Sequence, residues 1–240
     1  MATTTPSNNL YPSMEGEFSA ESQAHVLAVS ATLNLLRYHL RDQAVVFANQ
    51  FFYYIEGKPR ARVTPDLMVV KGIPISLYNT YKLWENAQTP CLVMEVTSER
   101  TKDYDMGFKK PLYAQIGIKE YWLFDPLAEW LDGQLRGYQL TDDGDYTEIT
   151  DNSSQVLGLR LEPKEYLLNF YRLDDGSKLP NFSDFNCLLE QYQQTINALQ
   201  KLAETEKLRA DAEKLRADRM AAKLQELGVD ISKLNSGLTH

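Results

Sequence analysis

The 240-residue chain has only two cysteines, Cys91 and Cys187, and they form no CxxC pair. That leaves neither a zinc-ligand pattern nor a disulfide framework, and a reducing, cytoplasmic setting is the simplest expectation. No run approaches the roughly 18 apolar residues that a bilayer-spanning helix requires, so no membrane segment is expected. The opening stretch, MATTTPSNNLYPSMEGEF, has neither the basic start nor the apolar centre of a secretion signal, and residues 1–17 read as a loose arm. Histidine is scarce as well. His25, His39 and His240 make no HExxH and no Ser/His/Asp grouping, and no glycine-rich loop is present to cradle phosphates. The two helical histidines therefore read as surface or packing residues. An excess of basic charge is also missing. A net charge of −8 speaks against a broad basic surface for tight, nonspecific nucleic-acid binding. It leaves nucleic acid open as a substrate, because metal-ligand carboxylates themselves add negative charge.

What remains is ample material for a core. With 43% hydrophobic and 11% aromatic residues, the length fits one domain of roughly 150–200 residues and an appendage. Val26, Val29, Leu33, Leu36 and Leu40 recur at helical spacing, which predicts a helix over 21–41 with Ser19 as a candidate cap. Strand-like runs follow at AVVF (44–47), FFYYI (51–55) and DLMVV (66–70), and residues 72–90 read as an irregular loop. CLVMEV (91–96) is apolar apart from one carboxylate, as expected of a central strand covered on both faces. A helix over about 103–116, ended by Gly117, and a strand KEYWLFD (119–125) complete a strand–helix–strand unit, which predicts a parallel pair inside a mixed sheet. Residues 134–170 alternate as shorter strands at the edge of the same domain. The tyrosines at 53, 54, 78 and 81 read as packing residues.

From residue 183 to Leu227 there is no glycine or proline, and EKLRADA at 206–212 returns as EKLRAD at 213–218. A period of seven, with Leu208, Ala212, Leu215 and Ala222 on the seam, predicts a short coiled coil interrupted by Arg219, the plainer alternative being a single exposed helix folded back on the domain. The expected organisation is an arm (1–17), a domain (18–180), a coiled-coil helix (183–228) and a tail (229–240), with self-association through the helix.

Three charged residues sit where charge is normally excluded. Asp66 follows Pro65 and opens an apolar strand, Glu95 lies near the end of CLVMEV, and Lys109 shares a helix stripe with Met106, Leu112 and Ile116. Taken singly, each has a plainer account. Asp66 could cap a turn, Glu95 could pair with an arginine, Lys109 could reach to water along its stem, and Asp105 could be only its helical ion-pair partner. Taken together, they suit one scheme: carboxylates on adjacent strands hold magnesium through oxygen ligands, and a lysine neutralises charge on a phosphodiester.

PD at 65–66, EVTS at 95–98, Thr101–Asp105–Lys109 at four-residue steps, and YA-x2-GI-KEYWLFDP to 126 resemble the Uma-type restriction endonuclease family of the PD-(D/E)XK nuclease superfamily. The resemblance covers roughly residues 18–170. It implies a restriction endonuclease-like fold, a mixed central sheet flanked by helices. It also implies Asp66 and Glu95 as ligands of Mg2+ or Mn2+, with Glu21 as an outer acidic residue on the face of His25. The superfamily lysine would fall at Thr97; the resemblance shifts that role to Lys109. The activity implied is a metal-dependent endodeoxyribonuclease acting on DNA as a homodimer. Two other readings stay open: a catalytically silent nucleic-acid- or protein-binding module, and a scaffold assembled through the tail.

Overall fold

The structure, a computed structural model, describes residues 22–227, except for the side chains of residues 182, 183 and 185–188. The predicted arm, the tail, Ser19, Glu21 and the Cys187 side chain thus lie outside the described residues. The chain divides into two units, between residues 182 and 183.

The first unit opens with helix α1 (Gln23–His39), capped by Ser22, whose hydroxyl accepts a hydrogen bond from the His25 amide. Its buried face carries His25, Ala28, Val29, Thr32, Leu35 and Leu36, whereas Val26 is 48% exposed. The expected stripe is therefore rotated by about one residue, because His25 and Thr32 take inward positions that hydrophobicity alone does not reveal. Strands β1 (Ala44–Ala48), β2 (Phe52–Tyr53), β3 (Arg62–Val63) and β4 (Leu67–Lys71) come next. The supposed loop 72–90 contains strand β5 (Tyr81–Lys82) and one helical turn, α2 (Leu83–Asn86). Such short elements leave too little periodicity to be read from sequence.

Strand β6 (Leu92–Val96) leads into a π-helical turn (Tyr104–Lys109) that continues as helix α3 (Lys110–Ile116). Gly117 closes the helix with φ +88°, the left-handed conformation expected of a glycine at that position. Strands β7 (Glu120–Phe124), β8 (Leu135–Leu140) and β9 (Tyr146–Ile149) complete a six-stranded sheet of order β1-β4-β6-β7-β8-β9. Within it β6 and β7 run parallel and the other neighbours antiparallel. This is the mixed α/β sheet that the strand–helix–strand unit predicts. Strands β10 (Ser153–Ser154), β11 (Leu159–Lys164) and β12 (Leu167–Arg172) form a separate three-stranded sheet rather than an extension of the first.

All residues of β6 and β7 are buried, so the sheet centre is covered on both sides. On one side Leu92, Met94, Trp122 and Phe124 pack with α1 and with Leu159, Leu161 and Phe170. On the other, Val93, Tyr121 and Leu123 pack with Tyr113, Phe52, Tyr81 and Met68. Tyr53 and Tyr81 are fully buried, as the packing reading expects. Side chains alternate across a strand, so Glu95 falls on the same side as Val93, the side of α3, whereas Glu120 falls with Trp122 on the side of α1.

The second unit is described through helix α4 (Phe182–Glu226), an unbroken 45-residue helix.

A buried carboxylate–lysine cluster

Strand β4 begins just after Asp66, and β6 is paired to it antiparallel with Leu67 opposite Met94. One step along that register, Asp66 meets Glu95, and their side chains leave the same face of the sheet. The Asp66 amide donates to Glu95 Oε2 at 3.2 Å, and the Val96 amide donates to Asp66 Oδ2 at 2.7 Å. Each carboxylate is thereby fixed to the backbone of the neighbouring strand, Glu95 to the Asp66 amide and Asp66 to the Val96 amide.

The helix after β6 supplies the cation. Its buried positions are Asp105, Lys109 and Tyr113, at successive steps of four. Met106, expected on that stripe, is 38% exposed. The wider π-helical turn moves the inward face away from Met106, and such turns are found disproportionately at functional sites. Lys109 Nζ lies 2.9 Å from Glu95 Oε2 and 2.9 Å from Asp105 Oδ1, so one ammonium bridges two carboxylates. Tyr113 donates its hydroxyl to Glu95 Oε1 at 2.8 Å, and Tyr121 donates to the Asp105 carbonyl at 3.0 Å. On the outside, Tyr104 and Phe108 stack at 4.7 Å, and the Tyr104 ring lies 5.6 Å from Lys109 Nζ.

Asp66, Glu95, Asp105 and Lys109 therefore converge. Glu95 and Asp105 are fully buried, while Asp66 keeps 17% of its side-chain surface and forms the solvent edge of the cluster. Thr97 is buried too, with its amide donating to the Phe124 carbonyl and its hydroxyl lacking a hydrogen-bond partner among the described residues. Histidine, set aside on sequence grounds, enters here: His25 Nε2 lies 3.2 Å from Asp66 Oδ2, and the ring is 7% exposed. Neither spacing nor composition signals that contact, since it joins residues 41 positions apart. Tyr113 opens the YA-x2-GI motif and continues the four-residue steps from Asp105 and Lys109, but sequence alone gives it no role in the cluster.

Charge balance governs the protonation of the cluster. Burial pushes the Glu95 carboxyl up to about 8; Lys109 opposes this, while Asp66 and Asp105 add to it. Burial raises Asp105 as well. Burial by itself would draw the proton off Lys109, but Glu95 and Asp105 outweigh it and hold the ammonium above its usual range. With two buried carboxylates sharing one ammonium, a further proton is retained near neutral pH.

Asp66 and Glu95 fit a hard divalent cation in kind. Both offer carboxylate oxygens, Asp66 faces solvent, and the unpartnered hydroxyl of Thr97 lies along the same strand face as Glu95. Among the described residues no group of three or more His, Cys, Asp or Glu side chains is arranged to hold a metal ion. The fit is thus to a magnesium-like site, where one or two carboxylates suffice and water and phosphate complete the shell. Glu21 lies outside the described residues.

Comparison with known proteins adds two findings. A family profile described as "Putative restriction endonuclease" matches residues 10–174. Among solved structures, one described as "a putative nuclease belonging to DUF820", from Anabaena variabilis, is 14% identical, covers 61% of this chain and 74% of that chain, and superposes with a TM-score of 0.43. No curated protein matches the chain.

Proposed function

Because the chain belongs to the Uma-type family described as "Putative restriction endonuclease", we propose that it is a magnesium-dependent endodeoxyribonuclease, with Mn2+ as an alternative cofactor, acting through Asp66, Glu95 and Lys109. The observation that carries this reading is the convergence of Asp66, Glu95, Asp105 and Lys109 at the solvent edge marked by Asp66. Asp66 and Glu95 would hold the cation; when bound, it would polarise a phosphodiester and lower the pKa of a water molecule. Lys109 presents a permanent positive charge, suited to developing charge on phosphate oxygens. Asp105 and Tyr113 orient Lys109 and Glu95, and His25 fixes the Asp66 carboxylate. In this reading DNA is the substrate, the cytoplasm the compartment, and α4 the element through which copies associate.

One observation favours a competing reading, a silent binding module. In this structure both Glu95 oxygens already accept hydrogen bonds or an ion pair, from Tyr113, Lys109 and the Asp66 amide. The two readings separate in one experiment. Purified full-length protein is incubated with supercoiled plasmid and with single-stranded DNA and RNA, in Mg2+, Mn2+ or chelator, beside Asp66→Asn. The nuclease reading expects nicking that chelator stops and that the variant reduces roughly 10³-fold, about 4 kcal/mol in barrier. DNA binding without cleavage, equal in both proteins and indifferent to metal, selects the silent module.

A further inference from the structure

Helix α4 is 45 residues long, and Leu208 and Leu215, seven residues apart, are 67% and 52% exposed. An apolar stripe of this kind on a long helix needs a covering surface. The charges beside the stripe identify what covers it.

With Leu208, Leu215 and Ala222 at the d positions of a heptad, the a positions hold Thr205, Ala212 and Arg219. The g positions are then Glu204, Asp211 and Asp218, all acidic, and the e positions are Arg209, Arg216 and Lys223, all basic. Two identical helices running parallel bring each g residue beside the e residue five positions further along the partner. Every such contact here is attractive: Glu204 with Arg209, Asp211 with Arg216, and Asp218 with Lys223. Running antiparallel, the same helices set g against g and e against e, so acids face acids and bases face bases. Arg219 fits the parallel arrangement as well. A basic residue at an a position passes its stem over the seam and reaches the neighbouring g residue of the partner, here Asp218, and a polar a position also fixes register. Within the single helix, the exposed ion pair of Arg209 with Glu213, at 3.7 Å, is too weak to compete.

We infer that residues 204–223 form a parallel, in-register two-stranded coiled coil with a second copy of this chain. Upstream, Leu189, Tyr192, Ile196 and Leu199 follow a different seven-residue frame and are not part of that coil. Parallel pairing means that the first units of both copies are tethered at the same end of the coil. The inference rests on α4 alone and stands whether or not the cluster around Glu95 cleaves DNA.

The test uses the full-length protein with Cys187→Ser, which removes the cysteine of α4. Thr205→Cys and Ala222→Cys are made singly and oxidised. In a parallel coil each variant cross-links to itself. In an antiparallel one residue 205 lies beside residue 222 of the partner, about 25 Å from its own equivalent at 1.5 Å per residue, so only a mixture of the two variants cross-links. Sedimentation equilibrium supplies the second measurement. The triple variant Glu204→Lys, Asp211→Lys, Asp218→Lys should raise the dimer Kd at least tenfold, and so should Arg209→Glu, Arg216→Glu, Lys223→Glu. An equimolar mixture of the two should dimerise as the parent does. Circular dichroism checks that each variant keeps its helix. Cross-linking only in the mixed cysteine sample, a parent that sediments as a monomer at 100 µM or as a larger oligomer, or a Kd indifferent to both charge reversals would each overturn the inference.

Discussion

Glu95 and Glu120 are both fully buried carboxyl groups on neighbouring parallel strands, β6 and β7, yet they serve opposite ends. Glu120 faces the α1 side and is saturated by neutral donors. Trp122 Nε1 donates to Oε2 at 3.0 Å, the Ser154 hydroxyl donates to Oε2 at 2.5 Å, and the Val156 amide donates to Oε1 at 2.9 Å. These bonds tie the six-stranded sheet to the segment around β10. Glu95 faces the α3 side, and its environment is ionic with acids in excess: Lys109 on one oxygen, with Asp66 and Asp105 close by. A buried carboxyl in a shell of fixed neutral dipoles is a structural rivet. One that shares an ammonium with other acids can exchange a proton or a cation, which is what a reactive site needs.

The largest effect on stability is expected where the rivet is pulled. Glu120→Leu strands the Trp122, Ser154 and Val156 donors in the core, and at 1–3 kcal/mol for each unsatisfied group the loss is about 4 kcal/mol, read as a drop in urea midpoint. Glu95→Gln should behave differently. The folded Glu95 carboxyl titrates at about 8 against 4.5 for the ordinary group, so the folded state holds the proton more tightly than the unfolded chain does. Its contribution is therefore complete below about 4.5 and disappears as pH rises through 8. Wild-type stability should decline between pH 5 and 8.5, and Glu95→Gln, which resembles the protonated acid, should flatten that decline. Equal slopes in wild type and variant would remove the distinction between the two glutamates.

The Glu95 half of this contrast is legible in the sequence. Asp66, Glu95 and Lys109 stood out because charge interrupted apolar runs, and the strand–helix–strand unit between residues 91 and 125 followed from patterning and the Gly117 stop. The exceptions share a cause. His25 reaches Asp66 across 41 residues, and a contact made by tertiary packing leaves no trace in local periodicity. Met106 was misplaced because a π-helical turn breaks the 3.6-residue phase on which the stripe was drawn. Glu120 begins a strand after Lys119, where a carboxylate looks solvated, and only the Ser154 segment folding over it makes it buried. Strands β8 and β9 do lie at the sheet edge, but that β10, β11 and β12 pair in a sheet of their own is not written in alternation, which marks strands and not their partners.

A milder disturbance of the Glu120 side is available through Gly137, the cross-strand partner of Trp122. A Cβ at that position would stand 2.5 Å from the Trp122 ring, so the indole lies directly on the glycine. Gly137→Ala should force the ring, and with it the Trp122–Glu120 hydrogen bond, out of place at about 2 kcal/mol, within the usual range for overpacking. The pH dependence owed to Glu95 should survive unchanged, since Trp122 and Glu95 lie on opposite faces of the sheet. A variant whose pH slope changes along with its midpoint would show that the two faces are coupled.

The smallest and most discriminating change is Tyr113→Phe. It removes one hydrogen bond, from the Tyr113 hydroxyl to Glu95 Oε1, and keeps the ring that packs 5.1 Å from Tyr121. A hydroxyl donating to a carboxylate favours the charged form, so its loss should raise the proton affinity of Glu95 further. The stability cost should be about 1 kcal/mol at pH 8.5, where the carboxylate is the acceptor, and less at pH 5. In the proposed nuclease the same shift holds Glu95 protonated to higher pH, so the rising limb of a cleavage–pH profile should move upward by less than one unit with the plateau preserved. A plateau that collapses while the limb stays in place would instead assign the hydroxyl to positioning Glu95, and the proton balance of the cluster would then not limit the rate.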